Sequence, residues 1–238
     1  EKLFAIPLFS KIILQNRKYI KQFKETINGL IHGDIVERYY AIDLFKAICS
    51  TSSIDSVFKM LLDSYINAFS EGMKQVFMDT LLDLVIQNDY ELVPDFKWLV
   101  RFLITLIKKT SNSSILQKIG ELLVDVVERV PDVRSYAMRK MEKFVQDSLS
   151  NRTETVESYM IHLMGEFAPQ ESAFALIQPA IQEFTTRTQL TSIMAVFKIF
   201  LRAEDPSLLI EVLKANLSTF ANGGDDSVSE FSRVIEQL

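Results

Sequence analysis

Few residues in this sequence have the type and spacing to do chemistry. There are two histidines and one cysteine in 238 residues. His32 precedes Gly33-Asp34, at the end of one apolar run, where the imidazole is well placed against a helix dipole. His162 sits in Tyr159-Met160-Ile161-His162-Leu163-Met164, on a mostly apolar run. Neither has a cysteine or carboxylate at ligand spacing, so the pair does not read as a zinc site. Cys49 follows Phe45 and Ile48 and reads as an inert, packed thiol, because a nucleophile needs a base and an oxyanion donor that the sequence does not offer. Asp79 and Asp83 are four apart, and Glu121, Asp125 and Glu128 share one helical face. Paired carboxylates can move protons; on an open helix face they are read as solvated. No glycine-rich phosphate loop, nucleophile elbow or His-Glu-x-x-His is present, and no cofactor is implied. Asn112-Ser113-Ser114, Asn151-Arg152-Thr153 and Asn216-Leu217-Ser218 match the glycosylation pattern and are read as chance matches.

One cluster points to binding instead. Lys11, Arg17, Lys18, Lys21 and Lys24 gather near the start, while Ile20, Phe23, Ile27 and Leu30 mark a buried side. A basic helix face attracts acidic lipid headgroups or an acidic partner, at about 1 kcal/mol per charge near an anionic surface. The plain alternative is a solvated face.

The elements that carry these residues repeat. Helix-start punctuation recurs about every nineteen residues, at Asp34, Ser53, Gly72, Pro94, Ser113, Pro131, Thr153, Ser172, Thr188, Pro206 and Asp226. Between the marks lie amphipathic runs. The run from Ser113 places Ile115, Ile119, Leu122, Val126 and Val130 at helical spacing, with Gln117, Glu121, Asp125 and Glu128 opposite. Ser113 or Ser114 is expected to cap it, and Val130-Pro131-Asp132 to stop it. Its predecessor is apolar over most of its circumference, from Phe96 to Ile107, with Lys97, Arg101 and Lys108 as a thin polar strip. An inner helix followed by an outer one is the alternation a stacked repeat requires. About thirteen helices, in six pairs of roughly 38 residues, follow from this spacing. Starts are expected near Leu3, Lys18, Asp34, Ile54, Met73, Asp95, Ser113, Val133, Thr153, Ser172, Gln189, Pro206 and Asp226. Pro179 is expected to kink or split the segment from Ser172 to Thr185.

The fold class is therefore all-α, a right-handed α-solenoid of stacked HEAT/armadillo-like antiparallel helix pairs over residues 1–238. Residues 222–226, Asn-Gly-Gly-Asp-Asp, read as a loop before a last helix or as the point where the solenoid hands over to a tail. The composition agrees. Hydrophobic residues make up 48% and mean hydropathy is +0.13, which is apolar for a helical chain with 24% charged residues. Surfaces that meet partner chains would account for it. No run is long and apolar enough for a membrane span. Net charge is −5, against the basic footprint of a nucleic-acid binder. A lone cysteine excludes an internal disulfide, and with no signal-peptide pattern at Glu1-Lys2-Leu3-Phe4 a cytoplasmic segment of a longer protein is expected.

Four stretches, in order, resemble the large-chain (adaptin) trunk of clathrin-adaptor-type complexes. Gly33-Asp34-Ile35-Val36-Glu37-Arg38-Tyr39-Tyr40-Ala41-Ile42-Asp43-Leu44 is similar to the segment in which an aspartate opens a helix with an Ala-Leu-Asp-Leu-like run, an Ile here replacing the Leu. Asn88-Asp89-Tyr90-Glu91-Leu92-Val93-Pro94-Asp95-Phe96-Lys97-Trp98-Leu99 resembles the tyrosine-to-Phe-Glu-Trp stretch of δ-type chains, Lys97 replacing the acidic residue. Asp132-Val133-Arg134-Ser135-Tyr136-Ala137 and Gly165-Glu166-Phe167 resemble the next two signatures. The likeness is greatest to the δ chain of adaptor complex 3, then to the α chain. It implies the later half of a trunk, without its start or its hinge and ear. It further implies a scaffold subunit of a heterotetrameric vesicle adaptor, assembled with a β-type large chain, a medium and a small chain. Such a subunit is peripheral on Golgi or endosomal membranes, on a route to lysosome or vacuole, and is not an enzyme. The rival reading from the repeat pattern alone is a HEAT-type regulatory or transport-receptor scaffold that binds peptides or signalling subunits.

Overall fold

A computed structural model describes residues 2–16, 19, 23–147, 154–173, 176 and 186–205, with isolated positions at 207, 210, 229, 230 and 233. Among the described residues there is no strand. The helices are α1 (Lys2–Gln15), α2 (Lys24–Leu30), α3 (Ile35–Ile48), α4 (Ile54–Ile66), α5 (Glu71–Ile86), α6 (Phe96–Ile107), α7 (Ser113–Arg129), a 3-10 turn over Pro131–Val133, α8 (Arg134–Asp147), α9 (Glu154–Phe167) and α10 (Thr186–Arg202). The chain divides into two compact units, Glu1–Asp95 and Phe96–Leu238.

Within each unit the packing is that of a repeat array. In the first, α2 packs on α3 and α4 on α5, and the odd helices also pack on one another, α1 on α3 and α3 on α5. In the second, α6 packs on α7 and α8 on α9. There α7, α9 and α10 form one layer, and α6 and α8 lie side by side in another. A helix that touches both its sequence neighbour and the helix after next is the unit of a stacked all-α array. The resulting cores are aliphatic and aromatic. Phe45, Phe58, Phe77, Leu61, Leu81 and Leu84 are buried in the first unit, and Leu99, Leu103, Ile119, Leu123, Met160 and Leu163 in the second.

Local chemistry explains the helix starts. Asp34 caps α3, its carboxylate accepting from the backbone N–H of Val36 and Glu37 at 3.0 Å, while the Asp34 N–H donates back to Glu37 Oε2 at 2.8 Å. Ser70 caps α5, accepting from the Met73 N–H at 3.2 Å. The helix therefore opens at Glu71, two residues before the expected Met73. Asn112, rather than Ser113 or Ser114, caps α7. Its carboxamide oxygen accepts from Ser114 and Ile115 at 3.0 and 3.2 Å, so one of the glycosylation-like asparagines is a capping residue. Pro131 ends α7 and opens the 3-10 turn into α8. The helix α2 starts at Lys24, and the start expected near Lys18 lies outside the described residues.

The expected alternation of inner and outer helices is adjusted. Lys97 and Arg101 are exposed on α6, as the thin polar strip required. The most enclosed helix is α9, on which none of the described side chains is exposed. The kink expected at Pro179 and the loop expected at 222–226 lie outside the described residues.

Candidate functional site

Most of the carboxylates singled out by spacing are held in side-chain pairs. Lys46 on α3 donates to Asp83 on α5 at 2.8 Å, and Gln75 donates to Asp79 at 2.9 Å. On α7, Gln117 donates to Glu121 at 3.0 Å and Arg129 to Asp125 at 3.3 Å. Cys49 is half-buried, and burial pushes its thiol above the ordinary value against smaller opposing effects of Ser53 and Ser50. His32 is exposed in the turn after α2, and His162 is half-buried on α9. Among the described residues no three His, Cys, Asp or Glu side chains gather as a metal site.

The basic cluster read from the sequence is only partly described. Lys11 is exposed on α1 and Lys24 is the first residue of α2, whereas Arg17, Lys18 and Lys21 lie outside the described residues. Beside Lys11, α1 exposes Leu8 and Ile12, one helical turn apart. Further exposed apolar groups of the first unit are Ile35 and Tyr39 on α3, Ile66 at the end of α4, and Phe69, which is 100% exposed in the α4–α5 loop. Phe69 has no signal in helical periodicity, because it stands between two helices. Among the described residues these groups, together with Tyr19, Ile86 at the end of α5, and Met194 and Leu201 on α10, are where large apolar side chains face outward.

The four signature stretches turn out to be joints. A Cβ at Gly33 would lie 1.9 Å from Glu37 Oε2 and would displace that capping side chain, and the Gly33 carbonyl accepts from Arg38 Nε at 2.9 Å. Asn88, Asp89 and Tyr90 form a left-handed turn after α5, with φ of 47°, 56° and 68°. Asn and Asp suit that region and Tyr does not. The turn is tied by Asn88 Nδ2 donating to Glu91 at 2.7 Å. It leads to α6, where Trp98 is buried and stacked on Phe102 with centroids 5.4 Å apart. Arg134, first residue of α8, donates to the α7 carbonyls of Val127 and Glu128 at 3.0 and 2.7 Å and lies over the Phe167 ring at 4.3 Å. It therefore ties the ends of α7 and α9 to the start of α8.

Gly165-Glu166-Phe167 closes the same joint. A Cβ on Gly165 would lie 2.6 Å from Ala195 Cα, so α9 and α10 meet backbone to backbone. Next to that contact, Lys198 of α10 donates to Glu166. This bond holds the Glu166 carboxyl below its ordinary range, with smaller pulls from His162 and Arg202. On the other side of α9, Gly120 of α7 meets the Tyr159 ring, which a Cβ would approach to 2.3 Å. Small residues on both flanks of α9 thus set the spacing of the layer formed by α7, α9 and α10.

The comparisons agree with this architecture. The model of the family described as the adaptin N-terminal region matches residues 2–237, and the chain belongs to that family. It is similar to the AP-3 complex subunit delta of Dictyostelium discoideum, 25% identical over 214 residues, covering 85% of this chain and 18% of that protein. It is also similar to the AP-3 complex subunit delta of Saccharomyces cerevisiae, 22% identical over 223 residues, 81% of this chain and 24% of the relative. The coatomer subunit gamma of the same yeast is 23% identical over 193 residues, 80% of this chain and 20% of its own length. The chain thus spans about a fifth to a quarter of these relatives. Among the described residues no helix is long and apolar enough to cross a membrane.

Proposed function

We propose that this chain is a scaffolding segment of the large subunit of a heterotetrameric vesicle-coat adaptor complex of the AP-3 type. It acts in intracellular protein transport from Golgi or endosome towards lysosome or vacuole. In this reading it is cytoplasmic, peripheral on those membranes, and holds a β-type large chain, a medium chain and a small chain in register. It catalyses nothing and binds no nucleic acid. Residues 1–238 then form the later half of an adaptin trunk, with 222–226 as a loop before a terminal helix.

The match of the adaptin family model to residues 2–237 carries this reading, and the AP-3 delta relatives give it direction. The structure supports a scaffold in a specific way. The signature residues hold helices together, and the outward apolar groups, Leu8, Ile12, Tyr39 and Phe69 among them, offer burial to a partner. The test is affinity purification of the full-length chain from its own cells, with identification of what remains bound. Stoichiometric β-type, medium and small adaptor chains are expected. Recovery of signalling subunits or nuclear-transport cargo, with no adaptor chain, would overturn the reading.

A further inference from the structure

In the second unit α6 and α8 lie side by side, and their open sides are cationic. Lys97 and Arg101 are exposed on α6, Lys108 and Lys109 just beyond it, and Arg139, Lys140 and Lys143 on α8. The α6 helix contains no acidic residue. The α8 helix contains two, Asp147 at its last position and Glu142, which is half-buried and accepts from the Ser172 hydroxyl at 3.3 Å. Asp132 is exposed two residues ahead of α8.

Lys108 Nζ lies over the Phe144 ring at 5.9 Å, so the end of α6 is beside the end of α8. The two helices therefore run the same way, and their cations form adjacent rows. The twelve residues of α6 span about 18 Å at 1.5 Å per residue, and neighbouring helix axes lie about 8–10 Å apart. The acidic groups of the neighbouring helix, Glu121, Asp125 and Glu128, belong to α7 instead. In a chain of net charge −5 this segregation makes a local positive field on one face.

We infer that the exposed face of α6 and α8 is a docking surface for an anionic lipid bilayer, engaged through phosphate-bearing headgroups. A lipid surface fits better than an acidic polypeptide because the face has charge and no apolar centre. The large exposed hydrophobic side chains lie on α1, α3, α4, α5 and α10 and in loops, none on α6 or α8. Specific protein interfaces are built around a desolvated apolar or aromatic core. Rigid rows of Lys and Arg without one match a broad plane of negative charge. Two of the ammonium groups lie beside aromatic rings, Lys140 Nζ 5.5 Å from the Tyr136 centroid and Lys108 Nζ 5.9 Å from that of Phe144, while both residues stay exposed. The inference goes beyond the proposed function, which assigns no lipid contact to these helices, and it stands or falls independently of subunit assembly.

The test is flotation of the whole chain with vesicles of phosphatidylcholine, with and without phosphatidylserine and a polyphosphoinositide. Binding is expected only with anionic lipid, and it weakens as salt rises towards physiological strength. Each cation contributes about fivefold near such a surface, so the combined Arg139→Gln, Lys140→Gln, Lys143→Gln variant is expected to bind about a hundredfold more weakly. A second variant on the other helix, Lys97→Gln with Arg101→Gln, is expected to lose about 25-fold, which keeps the test decisive if the α8 variant misfolds. Lys59→Glu, at an exposed cation of α4, is expected to change nothing. Equal binding to neutral vesicles, or unchanged affinity in both face variants, overturns the inference. So does tighter binding to poly-glutamate than to vesicles, or binding of free inositol hexakisphosphate without binding to vesicles.

Discussion

Gly165 offers the sharpest perturbation of the stacked layer. Replacing it by Ala places a methyl carbon 2.6 Å from Ala195 Cα and 2.7 Å from Ala195 Cβ, where ordinary contact begins near 3.4 Å. Both opposing atoms are held by the backbone of α10, so no side chain can turn away. The α9 and α10 helices must separate by about 0.7 Å at that point, and a gap of that size forfeits roughly a quarter to a half of each facing van der Waals contact. Overpacking of this kind costs about 1–3 kcal/mol, and the upper part applies because α9 has no exposed side to move towards. Against it stands a gain of about 1 kcal/mol from replacing glycine in a helix. The net expectation is a loss of about 1–2 kcal/mol. Gly72, near the start of α5, has nothing within 4 Å of its added Cβ. Gly72→Ala should therefore be neutral or stabilising by up to about 1 kcal/mol. Urea denaturation read by helical circular dichroism and by Trp98, the single tryptophan and in the same unit as Gly165, measures both. Adding Ala195→Gly should restore part of the loss, as coupled neighbours do. If Gly165→Ala is as stable as the parent, the close approach of α9 and α10 is wrong.

Three further outcomes follow from single contacts. Trp98→Ala should cost about 3–5 kcal/mol in urea denaturation followed by circular dichroism alone, because the ring is buried and stacked on Phe102; a loss below about 1 kcal/mol would show that its burial does not matter to folding. Asn112→Ala should cost about 1 kcal/mol as a lost helix cap and Ser113→Ala much less, and the reverse order would return the cap to the serine. The Glu166 carboxyl, lowered by Lys198, contributes stability above its unfolded value that is lost as pH falls through its lower folded value. Because the pair is about one-third exposed, Glu166→Gln should remove no more than about 1 kcal/mol at neutral pH and nothing in strong acid; an equal loss at both pH values would refute the pairing.

Much of the helix order was legible because caps and stops are local. Asp34 marks its boundary with its carboxylate and Pro131 with its ring, and α4 begins beside Ser53 although that side chain makes no cap. Errors arose where several cap-capable residues crowd together. In Thr110-Ser111-Asn112-Ser113-Ser114 the carboxamide of Asn112 reaches two backbone N–H groups, and in Ser70-Glu71-Gly72 the serine acts two residues before the glycine that marked the repeat. The run from Tyr159 to Met164 reads as mostly apolar, but the full enclosure of α9 was not legible, because Lys198, the partner of Glu166, arrives from a helix 32 residues on; Ser158 is satisfied within α9 by the Thr155 carbonyl. The cationic face was missed for a related reason. Lys97 and Arg101 are about forty residues from Arg139 and Lys143, and only packing of a helix on the helix after next brings them together. Periodicity also could not single out Phe69, a loop residue whose exposure depends on what does not cover it.

The central claim is that this chain is a load-carrying segment of an adaptor large subunit. Co-expression of the full-length chain with β-type, medium and small adaptor chains, followed by native mass measurement of the purified assembly, tests it most directly. The account predicts one complex with one copy of each chain, retained in Gly72→Ala and weakened by Gly165→Leu, which forces α9 and α10 apart. Assembly of the other three chains into a stable complex that leaves this chain behind would contradict it.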